Sequence, residues 1–244
     1  MSRQRKLIAG NWKMNGIRAD ATALGWGLSQ KMRTCDLACE ILVCPPATLL
    51  TWFGDAVVGS GILLGGQDCH AAAAGPFTGS ISAEMLKDAG CTYVIIGHSE
   101  RRRGCGESDS DVRAKAAAAA RAGLTAIVCV GEGAKERRLG EAHKVVVNQL
   151  SRSLPDEATA KNLVVAYEPV WAIGSGQLPE VTEISEVHTA ISEQYPATRI
   201  IYGGSVSKRN AAQVLAIPNV DGVLVGGASL RLDEFWAIAT TCDR

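Results

Sequence analysis

Eight short apolar runs, each followed by a stretch with helical spacing, leave this chain very few folds to adopt. The runs are Lys6–Asn11, Glu40–Cys44, Gly61–Gln67, Tyr93–Gly97, Ala126–Val130, Leu163–Glu168, Arg199–Gly203 and Gly222–Val225. Most of them do not alternate with polar residues, as expected for parallel strands covered on both faces. The helix-like segments are Ala19–Arg33, Ser82–Ala89, Ser108–Ala122, Ala134–Ser153, Glu180–Tyr195, Lys208–Leu215 and Asp233–Thr240. Ser108–Ala122 holds a run of alanines and is closed by Gly123, as Gly90 closes Ser82–Ala89. Eight strand-plus-helix units in 244 residues average about 30 residues each, the size of the units in a (β/α)8 barrel of about 250 residues. No Pro- or Ser-rich linker interrupts them, so residues 1–244 are expected to form one domain. The alternative is a doubly wound open sheet. Binding a dinucleotide, such a sheet needs a glycine loop after strand one, where this chain has Asn11-Trp12-Lys13.

Composition excludes several classes of function. Basic and acidic residues number 25 each, so no bulk charge draws the chain to nucleic acid. No apolar run approaches the roughly 18 residues of a membrane span. The opening segment MSRQRKLIAGNWKMNG lacks the apolar core of a secretory signal. The cysteines contain no CxxC pair, and Cys35, Cys39 and Cys44 miss the spacing of a zinc site. Several, including Cys44, Cys91 and Cys129, lie in apolar runs. They read as reduced, mostly buried thiols of a cytoplasmic protein that holds no metal.

In a (β/α)8 barrel, chemistry sits at the C-terminal ends of the strands, and here those ends are polar or glycine-rich. Strand one ends in Asn11 and Lys13, strand four in Gly97-His98-Ser99-Glu100-Arg101, and strand five near Cys129 and Glu132. Strand six ends in Glu168, after which Pro169 stops the ladder. An apolar segment, Val170–Ile173, then leads to Gly174-Ser175-Gly176. Glu168 is either a rim salt bridge or a base under a lid. Gly203-Gly204-Ser205 and Gly226-Gly227 close strands seven and eight. Such glycines serve either turns of positive φ or the close approach of backbone N–H groups to an anion. Loops after these two strands form the recurrent phosphate site of the fold. Lys13 is either a surface charge or a clamp on that anion, and His98 is either a hydrogen-bonded structural residue or an acid or electrophile. No GxSxG elbow supports a hydrolase triad. Proton abstraction beside a carbonyl of a small phosphorylated substrate remains.

Six motifs carry a resemblance. NWKMN (Asn11–Asn15), GHSERR (Gly97–Arg102), CVGE (Cys129–Glu132), AYEPVWAIGSG (Ala166–Gly176), YGGSV (Tyr202–Val206) and LVGGASL (Leu224–Leu230) resemble the triosephosphate isomerase family, in the family's order and over essentially the whole chain. The resemblance implies an isomerase that interconverts D-glyceraldehyde 3-phosphate and dihydroxyacetone phosphate through an enediolate, without a cofactor, in glycolysis and gluconeogenesis. Its base-and-electrophile division of labour is the family's own, taken over from that likeness. By it, Glu168 is the base. His98 is the neutral electrophile, held so by a helix N-terminus that Ser99-Glu100-Arg101 would provide. Lys13 and Asn11 bind substrate and stabilise developing charge, with Glu100 beside the lysine and Cys129 in support. Gly174, Ser205, Gly226 and Gly227 cradle phosphate. Ile173 and Leu224 form an apolar clamp, and Trp171 is the hinge-side aromatic.

The loop Ala71–Ser80 would expose Phe77 on a single chain. The resemblance implies that it inserts into a second subunit, with Thr78 reaching the partner's site, and so implies a homodimer. Two features depart from the family's pattern. Ser80 replaces a common glutamate that pairs across the interface, and the trailing hinge reads Gln177-Leu178-Pro179. A sister isomerase acting on a four-carbon sugar phosphate, and a non-catalytic phosphate-binding barrel, are the other functions weighed.

Overall fold

The computed structural model describes residues 5–156, 158–173 and 178–243. The strands are β1 (Lys6–Asn11), β2 (Cys39–Cys44), β3 (Leu63–Gly66), β4 (Tyr93–Ile96), β5 (Thr125–Val130), β6 (Leu163–Tyr167), β7 (Arg199–Tyr202) and β8 (Gly222–Val225). All neighbours pair in parallel, and β1 pairs with both β2 (Ile8 opposite Ile41) and β8 (Ala9 opposite Leu224), which closes the barrel. Side chains alternate across each strand, yet both faces are apolar. Leu7, Ala9, Leu42, Ile95, Ile127 and Val164 fill the interior. Ile8, Ile41, Val43, Val94, Val128 and Val165 face outward to the helices. This double burial is why the runs do not alternate.

The α-helices are α1 (Arg18–Thr34), α2 (Leu50–Val57), α3 (Ala83–Asp88), α4 (Ser99–Gly104), α5 (Asp109–Arg121), α6 (Ala134–Arg138), α7 (Ala142–Ser153), α8 (Val181–Gln194), α9 (Ala211–Leu215) and α10 (Leu232–Ala239). Three differences from the sequence reading have local causes. The segment expected as one helix over Ala134–Ser153 is two, because Gly140 takes φ +70° between α6 and α7. Lys208–Leu215 is helical only from Ala211, since Ser207 and Asn210 make a local turn through the Ser207 N–H and Asn210 Oδ1, 2.8 Å apart. Helix α2 was not anticipated. It contains Gly54 and has no side-chain cap, so no local signal marks it, and burial of Leu50, Phe53 and Val57 holds it in place.

No helix among the described residues is long and apolar enough to cross a membrane.

Candidate active site

Glu168 follows β6 directly and is buried, 2% exposed. Its carboxylate accepts two hydrogen bonds. Oε2 takes the Ser99 backbone N–H at 2.9 Å, and Oε1 lies 2.9 Å from Nε2 of His98. This is no rim salt bridge, because its neighbours are an imidazole and an amide rather than a solvated cation. Gly203 gives it room: a Cβ there would lie 2.9 Å from Glu168 Cγ.

His98 leaves β4 through Gly97, whose φ of +65° turns the chain out of the strand. It caps α4, and its Nδ1 accepts the Glu100 N–H at 3.2 Å. An accepting Nδ1 carries no proton, so the ring in this arrangement is neutral with its proton on Nε2. The imidazole therefore presents an N–H donor to Glu168 and to the cavity beside it.

Lys13 sits past the end of β1 with φ +53°, a conformation that costs a non-glycine residue roughly 1–2 kcal/mol. Three contacts hold it. Asn11 Oδ1 accepts the Lys13 N–H at 3.0 Å, Gln67 Nε2 donates to the Lys13 carbonyl at 2.9 Å, and Nζ lies 2.5 Å from Glu100 Oε1. Gln67 also donates to the Cys44 carbonyl at 2.9 Å, so it fixes the Lys13 turn to β2. Strain kept at one cation beside a cavity is characteristic of a functional position.

These groups line a cavity of about 340 Å³. Asn11, Lys13, His98 and Glu168 form one side. Gly203, Gly204, Ser205, Gly226 and Gly227 form another, and Ile173 and Leu224 supply apolar wall. None of the four glycines has a positive φ, but Gly226, at φ −83° and ψ −117°, lies outside the α and β regions open to residues with a Cβ. Gly204 is required for another reason, since a Cβ would meet the Tyr202 hydroxyl at 2.1 Å. Around Gly227 a Cβ would meet nothing within 4 Å, and at Gly226 only Lys13 Cε at 3.7 Å. At these two positions the fold leaves open space beside backbone amides.

Other expected residues take distinct places. Cys129 lies in the barrel interior, and burial, then the Glu168 charge, pushes its thiol well above the ordinary range. It is no nucleophile. Trp171 donates from Nε1 to Glu132 Oε1 at 2.8 Å. Glu132 is buried and also accepts from Arg137 Nε at 2.9 Å and the Tyr167 hydroxyl at 3.2 Å. Gly174 lies outside the described residues, as do Ser175, Gly176 and Gln177. Phe77 and Thr78 stand apart from the cavity on an exposed loop, with the Phe77 ring 4.0 Å from that of His70. Arg101 pairs within its own chain, with Asp68 at 2.9 Å and Glu107 at 2.6 Å.

Sequence reasoning missed Gln67, Glu132 as the acceptor for Trp171, and the Ser99 amide. For Glu132 the signal was a carboxylate immediately after an apolar strand. Gln67 and the amide carry no sequence signal of their own, since each acts through the placement of backbone.

A family model described as "Triosephosphate isomerase" matches residues 6–242. The triosephosphate isomerase of Afipia carboxidovorans is 54% identical, covering 98% of both chains. That of Xanthobacter autotrophicus is 52% identical, covering 97% of this chain and 96% of its own. Among solved structures, triosephosphate isomerase from Bartonella henselae superposes with a TM-score of 0.91 at 44% identity, covering 99% of this chain and all of the other.

Proposed function

The chain belongs to the triosephosphate isomerase family, and on that premise we propose how its residues divide the isomerase's work. The reaction is the interconversion of D-glyceraldehyde 3-phosphate and dihydroxyacetone phosphate, a proton transfer between adjacent carbons. Glu168 takes the carbon-bound proton, leaving the Ser99 N–H and turning into the cavity. His98, neutral and with its proton on Nε2, donates to the carbonyl oxygen. Lys13 and Asn11 stabilise the charge that develops on the enediolate. A positioned base contributes roughly 10²–10⁴-fold, and an aimed donor about 3–4 kcal/mol. Phosphate in the glycine cradle supplies binding energy that closes the segment after Pro169 over the site, with Gly174, Ser205, Gly226 and Gly227 as its contacts. Ile173 and Leu224 then exclude water from the base.

The observation that carries this reading is the juxtaposition of a buried carboxylate, a neutral Nε2–H donor 2.9 Å away and a cavity bordered by Gly227, where an added Cβ would meet no atom within 4 Å and φ is not positive. The test is a coupled assay in both directions, run beside tetrose phosphates. Turnover of trioses at least tenfold above tetroses supports it; preference for tetroses overturns the substrate assignment.

The homodimer belongs to the same proposal. A groove of about 470 Å³ adjoins the site and shares Asn11, Lys13 and His98 with it. Met14 lines this groove and is exposed, as are Ile17, Phe77 and Met85, and exposed apolar side chains of this kind are what a second copy would cover. On this reading the loop bearing Phe77 and Thr78 enters the partner's groove. We read residues 1–244 as one domain, supported by the pairing of β1 with β8, and the protein as cytoplasmic, supported by its free cysteines.

A further inference from the structure

The hydrogen-bonded ladder between β4 and β5 ends at Ile96 opposite Val128. The next carbonyls, those of Gly97 and Cys129, are claimed by one side chain. Arg102 Nε donates to Gly97 O at 2.7 Å, and its NH2 donates to Cys129 O at 3.2 Å. The same guanidinium reaches Asp109 at the start of α5 (2.8 Å) and Ser153 at the end of α7 (3.1 Å). Ser153 Oγ in turn donates to Asp109 at 3.3 Å. Four of the group's five N–H donors are thus used, and the side chain is 13% exposed.

These acceptors lie next to the proposed chemistry. The Gly97 carbonyl belongs to the peptide unit that launches His98. One residue on, the Ser99 N–H donates to Glu168. Cys129 pairs with Ala166, two residues before Glu168. A rigid planar fork therefore adds a rung between β4 and β5 at the point where the electrophile and the base's resting donor leave the sheet. Arg101 and Arg103 do nothing similar: Arg101 faces Asp68 and Glu107, and Arg103 is exposed.

We propose that Arg102 is a positioning residue for the isomerisation, setting through the Gly97 and Cys129 carbonyls the relative placement of His98, the Ser99 amide and Glu168. The proposal rests on Glu168 and His98 being base and electrophile. It differs from a role in stability alone because the guanidinium's backbone partners are these two strand-end carbonyls. Lysine cannot reproduce it, since an ammonium is a point donor and not a fork.

The experiment compares the wild-type protein with Arg102→Ala, Arg102→Lys and Glu168→Gln in steady-state kinetics with triose phosphate, normalised to folded protein. Arg102→Ala is expected to lower kcat by about 10- to 100-fold, the loss that follows a misplacement near 1 Å. KM should change less than about threefold, because the phosphate contacts Ser205, Gly226 and Gly227 follow β7 and β8, away from the ends of β4 and β5. Arg102→Lys should regain only part of the loss. Arg102 also borders a cavity of about 180 Å³ whose wall includes Ser99, Cys129 and Glu168. Methylguanidinium added to Arg102→Ala should therefore restore kcat saturably, with no effect on Glu168→Gln. Should Arg102→Ala fail to fold, Asp109→Asn, which frees the guanidinium from its anchor, is expected to lower kcat in the same pattern. Wild-type kcat per folded molecule in the Arg102 variant, or in Asp109→Asn where that variant stands in, overturns the proposal even if stability falls. Near-normal turnover of Glu168→Gln would instead refute the assignment of the base on which it rests.

Discussion

Gly227→Ala separates a glycine kept for function from one kept for the fold. Gly227 has no positive φ, and an added Cβ would meet no atom within 4 Å. Alanine therefore fits without strain, and by restricting the unfolded chain it should stabilise by about 0.4–1 kcal/mol. For a chain of this size that raises Tm by about 1–4 °C. The same methyl projects into open space that the cradle reading reserves for phosphate oxygens. Keeping one charge-assisted hydrogen bond from forming costs about 1.5–3 kcal/mol, or roughly 10- to 150-fold in affinity. The assay pairs thermal unfolding with steady-state kinetics and inhibition by inorganic phosphate. KM and the phosphate inhibition constant should both rise while Tm holds or increases. Gly204→Ala is the contrast, since its Cβ would meet the Tyr202 hydroxyl at 2.1 Å and the fold itself should suffer. Unchanged KM and phosphate inhibition in Gly227→Ala would refute the cradle, and a fall of several degrees in Tm would show that the fold does need this glycine.

Two further outcomes are expected. Lys13→Ala should lower kcat/KM by at least about 100-fold and weaken phosphate inhibition as well; unchanged kinetics would remove Lys13 from the site. His188 is fully buried, with Nδ1 2.9 Å from the Asn219 carbonyl, and burial lowers its pKa from 6.5 to about 4. The unfolded state therefore binds the extra proton first, so stability is full above about 6.5 and falls as pH drops towards 4, by about 3 kcal/mol from this group. Urea titrations across that range should show a shallower pH dependence in His188→Gln, and an unchanged slope would contradict the linkage.

Much of the barrel was legible because double burial leaves unbroken apolar strands, and glycines such as Gly90 and Gly123 punctuate the helices. Strand ends located Glu168, His98, Lys13 and the glycine pairs for the same reason: polar residues directly after buried strands are costly unless they have a task. The hidden parts depend on tertiary contact. Helix α2 is held by Leu50, Phe53 and Val57 and not by propensity. Gln67 matters through two carbonyls, at positions 13 and 44, that no spacing brings together. The three arginines of Arg101-Arg102-Arg103 look alike in sequence, yet only the second spans the carbonyls at the ends of β4 and β5. Gly140, by contrast, was visible and was read through, although a glycine inside a helical pattern is an ordinary place for a break.

The account turns on Glu168 as the base, and Glu168→Gln tests it with almost no change in shape. Measured in both directions with triose phosphates, the variant should lose about 10²–10⁴-fold in kcat while KM stays within a few-fold, because the cradle and Lys13 are untouched. Turnover near that of the unaltered protein would contradict the account.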